Sequence, residues 1–268
     1  MKKINISVAA VLLLLGSALA QKAQKPWLEW SKKEAEKILA DSPWSQTQTE
    51  TDTSEMFFSP NAMGDTRGRE SQGQTNQATS VKYHIRLFSA RPIRQAYVRL
   101  LELNQPQPDE ATAEKRRAWA NLPASDSIIV SVAGESSDQR YLGRVMQSFN
   151  SAVTAVLKNS VYLERKDGKR LFLEKYVPPG SDPFGARFIF ARTVDGQPFI
   201  TASDSSLRFH GEYENQTTLD SANNPPGQTS RGATRGNNSP IGPESKFKFK
   251  LDMKFKVADL VYDGGLEY

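Results

Sequence analysis

Two histidines, His84 and His210, are the only imidazoles in this 268-residue chain, and it contains no cysteine. Thiol catalysis, thiolate metal sites and disulfides are therefore excluded together. Each histidine lies in a segment of alternating polarity, His84 between Lys82 and Arg86 and His210 between Arg208 and Glu212. Alternation puts both imidazoles on polar strand faces, where adjacent strands could gather them with Glu212 around zinc or another divalent ion. Neither belongs to a short ligand motif, and basic neighbours repel a cation. The expectation is surface histidines, with no metal and no cofactor assigned.

Nucleophilic chemistry needs a hydroxyl, a base and an orienting acid. Serines are plentiful, but none sits in a Gly-x-Ser-x-Gly turn. The loop acids Glu135, Asp138, Asp182, Asp195 and Asp204 are of the kind that cap helices and close turns. Glycine-rich phosphate loops are absent. No catalytic residue is therefore assigned.

Two patterns remain as binding surfaces. Trp27, Trp30 and Trp44 fall within eighteen residues, flanked by Lys25, Lys32 and Lys33. They form either an aromatic platform for glycan or peptide or a hydrophobic clasp that pins the amino-terminal helix; the clasp is the expected role. The segment Ser245 to Val257 alternates strictly, with Lys246, Lys248, Lys250, Lys254 and Lys256 on one face together with Asp252. That face could meet anionic lipid, polysaccharide or nucleic acid, although lysines also discourage edge-to-edge strand pairing.

The elements that must position these residues read as α+β: a mostly antiparallel sheet with amphipathic helices packed on one face. Residues 21–60 form a tryptophan-rich helical segment in which Ser31 and Glu34 make a capping box and Ser42-Pro43 stops the helix. Residues 81–268 form the main domain. There Val81 to Phe88 reads as a strand, Ile93 to Leu101 as a helix, Asp109 to Asn121 as a weaker helix and Ile128 to Val132 as a short strand. A long amphipathic helix runs from Asp138 to Lys158, with a kink or split expected near Asn150. Val161 to Arg165 and Arg170 to Tyr176 flank an Asp167-Gly168 hairpin turn. Ala186 to Arg192 and Leu207 to Tyr213 are further strands. Residues 64–80 read as a flexible polar loop, and the polar stretch at 214–244 as a disordered insertion. The lysine-bearing strand is expected to pair with Leu207 to Tyr213 across it.

The amino terminus reads as a secretory signal. Lys2 and Lys3 precede an apolar run from Val8 to Leu15, and Ala18-Leu19-Ala20 offers small residues for cleavage after Ala20. The run is shorter than the roughly 20 residues that span a bilayer, so no transmembrane span is expected after cleavage. Net charge is +5, falling to +3 once Lys2 and Lys3 leave. Interleaved acids and bases give no strong nucleic-acid signal. Mean hydropathy of −0.56 suits a folded core diluted by polar loops.

Trp27-Leu28-Glu29-Trp30-Ser31, continued by Ser42-Pro43-Trp44, resembles the start of an uncharacterised family of exported bacterial proteins with a W-x-x-W-S helix and an S-P-W stop after the signal peptide. Ser89-Ala90-Arg91-Pro92-Ile93 is similar to that family's pattern too. The resemblance covers about the first third of the mature chain and implies export and a shared fold, with no activity attached.

Taken together, the residues point to a non-catalytic exported protein, periplasmic or envelope-associated, with an envelope protein or glycan as its partner. An exported hydrolase built from scattered acids or serines is the alternative. A module binding anionic polymer or membrane surface through the lysine face is the third reading.

Overall fold

The computed structural model describes residues 25–52, 79–105, 108–214 and 248–268. The expected signal segment, the polar loop up to residue 78 and the insertion from 215 onward lie outside those residues. The fold is α+β with mostly antiparallel sheets, as the hydrophobic periodicities require. Its strands form two sheets where the sequence suggested one.

The first sheet has five strands: β1 (Ser45–Asp52), β2 (Thr79–Leu87), β3 (Ser127–Ser136), β7 (Ala186–Ala191) and β6 (Lys175–Val177), hydrogen-bonded in that order. The second runs β11 (Lys248–Lys256), β10 (Ser206–Glu214), β4 (Val161–Arg165) and β5 (Arg170–Phe172). Every pairing is antiparallel. Two short ribbons, β8–β9 (Thr193–Val194 with Gln197–Pro198) and β12–β13 (Val261–Tyr262 with Gly265–Leu266), complete the strands. The β10–β11 pairing across the insertion is the expected one, with His210 opposite Asp252. The β4–β5 hairpin closes at Asp167-Gly168, where Gly168 takes a φ of 83°.

Period-two alternation puts the apolar side chains of both sheets on facing surfaces. Tyr83, Ile85 and Leu87 of β2 share a face with Val130, Val132 and Phe188, and all are buried. Val161, Leu163, Phe209, Leu251 and Phe255 answer from the second sheet. Phe209 joins the layers, its ring 5.3 Å from Phe188 and 6.4 Å from Phe190.

The sheets are tied along two seams. On one side the chain passes from β5 to β6: Leu173 N donates to Val161 O at 3.1 Å, and Glu174 N to Ile189 O at 2.9 Å. The single strand expected over Arg170 to Tyr176 therefore splits, one half in each sheet. On the other side β1 faces β11. Gln48 Nε2 donates to Lys250 O at 2.7 Å while its Oε1 accepts Asp252 N at 2.8 Å. Gln46 Nε2 reaches Lys254 O at 3.2 Å.

Helices occupy two places. Helix α1 (Lys32–Ala40) begins at the expected capping box and packs on α2 (Arg91–Asn104), which packs on α3 (Glu110–Ala120). The guanidinium groups of Arg91, Arg94 and Arg99 on α2 serve neighbouring elements. Arg94 is buried and donates to Trp119 O and Leu122 O at the carboxyl end of α3, where a cation offsets the helix dipole. Helix α4 (Gln139–Ser151) lies against β2 and β3, its Leu142 and Val145 over Gly134. The expected split falls at Ala152-Val153, and α5 (Thr154–Leu157) resumes with a new phase. Hence Val145, Phe149, Ala152 and Leu157 are buried as expected, while Val153 and Val156 are exposed.

Gly185 is the tightest backbone position, with a φ of 71° and a would-be Cβ 2.2 Å from Val132 O. Gly168, at a φ of 83°, faces open space. Gly185→Ala should therefore cost about 3 kcal/mol in urea denaturation, from left-handed strain plus displaced backbone. Gly168→Ala should cost only about 1 kcal/mol. Equal losses would mean that the approach to Val132 is not tight.

Candidate functional site

The capping box at Ser31 fixes where α1 begins: Glu34 N donates to Ser31 Oγ at 3.3 Å and Ser31 N to Glu34 Oε2 at 2.7 Å. These bonds, with Lys25, hold the Glu34 carboxyl down at about 2. At the other end Ser42 Oγ donates to Ile38 O and Ser45 Oγ to Leu39 O. Both ends of α1 are thus pinned, and Trp30 and Trp44 stand beside them.

Between those indoles lies a cavity of about 380 Å³, walled by Trp30, Trp44, Tyr262, Pro43, Pro92 and Ile38. That size is within the range of small-ligand sites. Trp44 meets Tyr262 edge to face at 6.0 Å. The polar tip of each ring is already committed: Trp30 Nε1 to Lys25 O, Trp44 Nε1 to Glu267 O, and Tyr262 OH to Gln95 Oε1. Burial pushes the Tyr262 phenol up to about 12, so it stays a neutral donor. The walls accordingly present carbon and ring surface. Charge sits at the rim, where Lys25 pairs with Glu34 at 3.0 Å. Lys37 and Asp41 complete the rim and have no side-chain partner among the described residues.

Of the tryptophans singled out by sequence, Trp30 and Trp44 meet at this cavity, while Trp27 is buried in the core without lining it. Their exposures of 7% for Trp30 and Trp44 and 9% for Trp27 describe rings directed inward. Tyr262 and Pro92 escaped the sequence reading. Tyr262 arrives from more than 200 residues away, a contact that no local spacing encodes. The lysine-bearing strand belongs to the other sheet, where Lys250, Lys254 and Lys256 are exposed. Lys246 and the side chain of Lys248 lie outside the described residues.

The two histidines are not brought together, because β2 and β10 belong to different sheets. No group of three potential metal ligands forms among the described residues. His84 instead joins a row across three strands: Nδ1 lies 3.0 Å from Thr47 Oγ1 and Nε2 lies 2.8 Å from Glu135 Oε2. Hydroxyl, imidazole and carboxylate stand in the order of a nucleophile, a base and an orienting acid. Thr47 and Glu135 were not linked to His84 by sequence, since only the strand register sets Thr47 opposite His84 and Glu135 on the diagonal from it. The His84 bond holds the Glu135 carboxyl below its usual range, but Glu135 is 63% exposed and solvated. Cross-strand pairing accounts for the row.

His210 stacks on Tyr162 at 4.7 Å. Desolvation lowers its pKa, against the opposing pull of Asp252. The loop acids serve local structure: Asp182 pairs with Arg187, Asp204 accepts Thr201 N, and Asp195 takes a left-handed turn conformation.

Comparison of the chain with protein-family models, curated proteins and solved structures finds no match in any of the three.

Two outcomes follow. Trp30→Ala should cost about 3–5 kcal/mol, as truncating a buried aromatic does, and lower Tm by several degrees; an unchanged melt would mean that the ring is not packed. Because the folded pKa of His210 is depressed, its neutral form is favoured in the native state. Stability is complete above the unfolded value of about 6.5 and falls as pH drops through that range. His210→Gln should flatten this loss in denaturation at pH 7 against pH 5. A loss of the same size in the variant would assign it to other groups.

Proposed function

We propose that this is an exported, envelope-associated binding protein without catalytic activity, and that it holds an apolar segment of a partner peptide between α1 and β12. Export is supported by Lys2-Lys3, the apolar run from Val8 to Leu15 and Ala18-Leu19-Ala20. Among the described residues no helix is long and apolar enough to cross a membrane.

The observation that carries the binding role is the cavity whose three aromatic rings have no free polar tip. A sugar brings hydroxyls that lose water on binding and need new partners, and these walls offer ring faces instead. An apolar or proline-rich peptide matches them, because its side chains and proline rings pack on aromatic-lined walls. Lys37 and Asp41 at the rim supply one cation and one anion for the backbone or termini of such a peptide.

The test titrates the full chain with a proline- and leucine-rich peptide and with a cello-oligosaccharide, following tryptophan emission. The peptide should shift emission and the sugar should not. Lys37→Ala with Asp41→Ala should weaken the peptide about tenfold, the equivalent of one charge-assisted hydrogen bond. Silence toward every apolar peptide would sink the proposal. Turnover of p-nitrophenyl acetate that disappears in Thr47→Val would replace it with a hydrolase working through the Thr47–His84–Glu135 row.

A further inference from the structure

The outer face of the second sheet gathers several basic side chains among the described residues. Leu163, Phe209, Leu251 and Phe255 point inward, so alternation turns their neighbours outward. The register then aligns two rows across the four strands. One runs Phe172, Tyr162, His210, Asp252, and the next runs Arg170, Glu164, Arg208, Lys254. Lys250 and Lys256 lie on the same face of β11, Lys250 opposite Glu212 of β10. Arg170 and Arg208 pair with Glu164 and Asp252 but remain half exposed. Lys250, Lys254 and Lys256 are exposed and make no ion pair among the described residues. Phe172, at the end of its row on the edge strand opposite the lysines, is 46% exposed, a large apolar side chain left in water at the border of this basic face.

We infer that this face is a docking surface for an anionic lipid bilayer, the lysines meeting phosphate headgroups and Phe172 entering the interface. Charge complementarity gives the sign of the partner. The aromatic arrangement decides its class. A single-stranded nucleic acid or a sugar ring held by stacking would need a free aromatic face. Tyr162, at the centre of the face, is already occupied: His210 stacks on it at 4.7 Å and the Arg170 guanidinium lies 4.4 Å from its centroid. Phe172 alone remains, and a single exposed apolar ring at the border of a basic plane suits an interfacial anchor. Val153 and Val156, also exposed, belong to α5, which packs against β6 two residues beyond β5.

The test mixes the full chain with vesicles of phosphatidylcholine, with or without phosphatidylglycerol at one part in three, and measures cosedimentation. The chain should partition onto the anionic vesicles at 0.1 M salt and leave them at 1 M, as the Debye length shrinks from about 10 to about 3 Å. Lys250→Glu, Lys254→Glu and Lys256→Glu together should lower the partition at least tenfold with an unchanged melt. If that variant fails to fold, Lys→Gln at the same positions carries the comparison. Phe172→Ser should weaken binding several-fold and leave its salt response intact. Equal partition onto neutral vesicles, no partition at all, or binding that survives in the lysine variant would overturn the inference; the last would move adhesion to the Val8–Leu15 segment. Retention on heparin or an oligonucleotide without vesicle binding would overturn it too, in favour of a chain-like polyanion.

Discussion

The amide of Gln48 does for this protein what a backbone peptide group does inside a sheet. It donates to Lys250 O and accepts from Asp252 N, so one side chain completes a rung between two strands that share no ladder. Without it the edge of β11 would lose the partners of Lys250 O and Asp252 N, and such a backbone group costs about 1–3 kcal/mol when shut away from water. With it the two sheets are held at a spacing that lets Phe209 reach Phe188 and Phe190. Everything carried on those sheets, including both candidate surfaces, inherits its placement from this seam and from the crossing at Leu173-Glu174.

The polar tips around the cavity and the carboxyl end of α3 follow the same rule. The indole N–H groups of Trp30 and Trp44 and the hydroxyl of Tyr262 all find acceptors, and Arg94 satisfies the open carboxyl end of α3. The cost of leaving such groups unpaired explains why the cavity walls are chemically quiet. A site of this kind selects by shape and apolar contact, with charge confined to its edge.

Much of this was legible where the information is local. The Ser31–Glu34 box, the Asp167-Gly168 turn and the alternation from Lys250 to Lys256 each depend on residues a few positions apart, and each appears in the structure as read. Strand β1 was not legible. Ser-Gln-Thr-Gln-Thr-Glu-Thr-Asp has no apolar residue, so it carries no inward face of the usual kind; Gln46 and Gln48 are its inward residues, and their partners lie some 200 positions away. The candidate site was half legible for the same reason. Tryptophan spacing marked one wall, whereas Tyr262 and Glu267 come from a stretch with little periodicity, whose burial only the tertiary structure produces. The partition of Arg170 to Tyr176 between sheets was hidden because both halves keep strand geometry.

Helix α2 begins at Ala90, whose side chain offers no cap, and Glu267 supplies one from the far end of the sequence. Its carboxylate accepts Arg91 N at 3.1 Å and Arg91 Nε at 2.8 Å, while its carbonyl holds Trp44. The amino end of α2 and the Trp44 indole therefore take their final partners only once the segment around residue 267 is in place. Contacts of such long reach form slowly, so the closing of this carboxyl-terminal segment is expected late in folding, and one glutamate ties it to α2 and to the cavity wall at once.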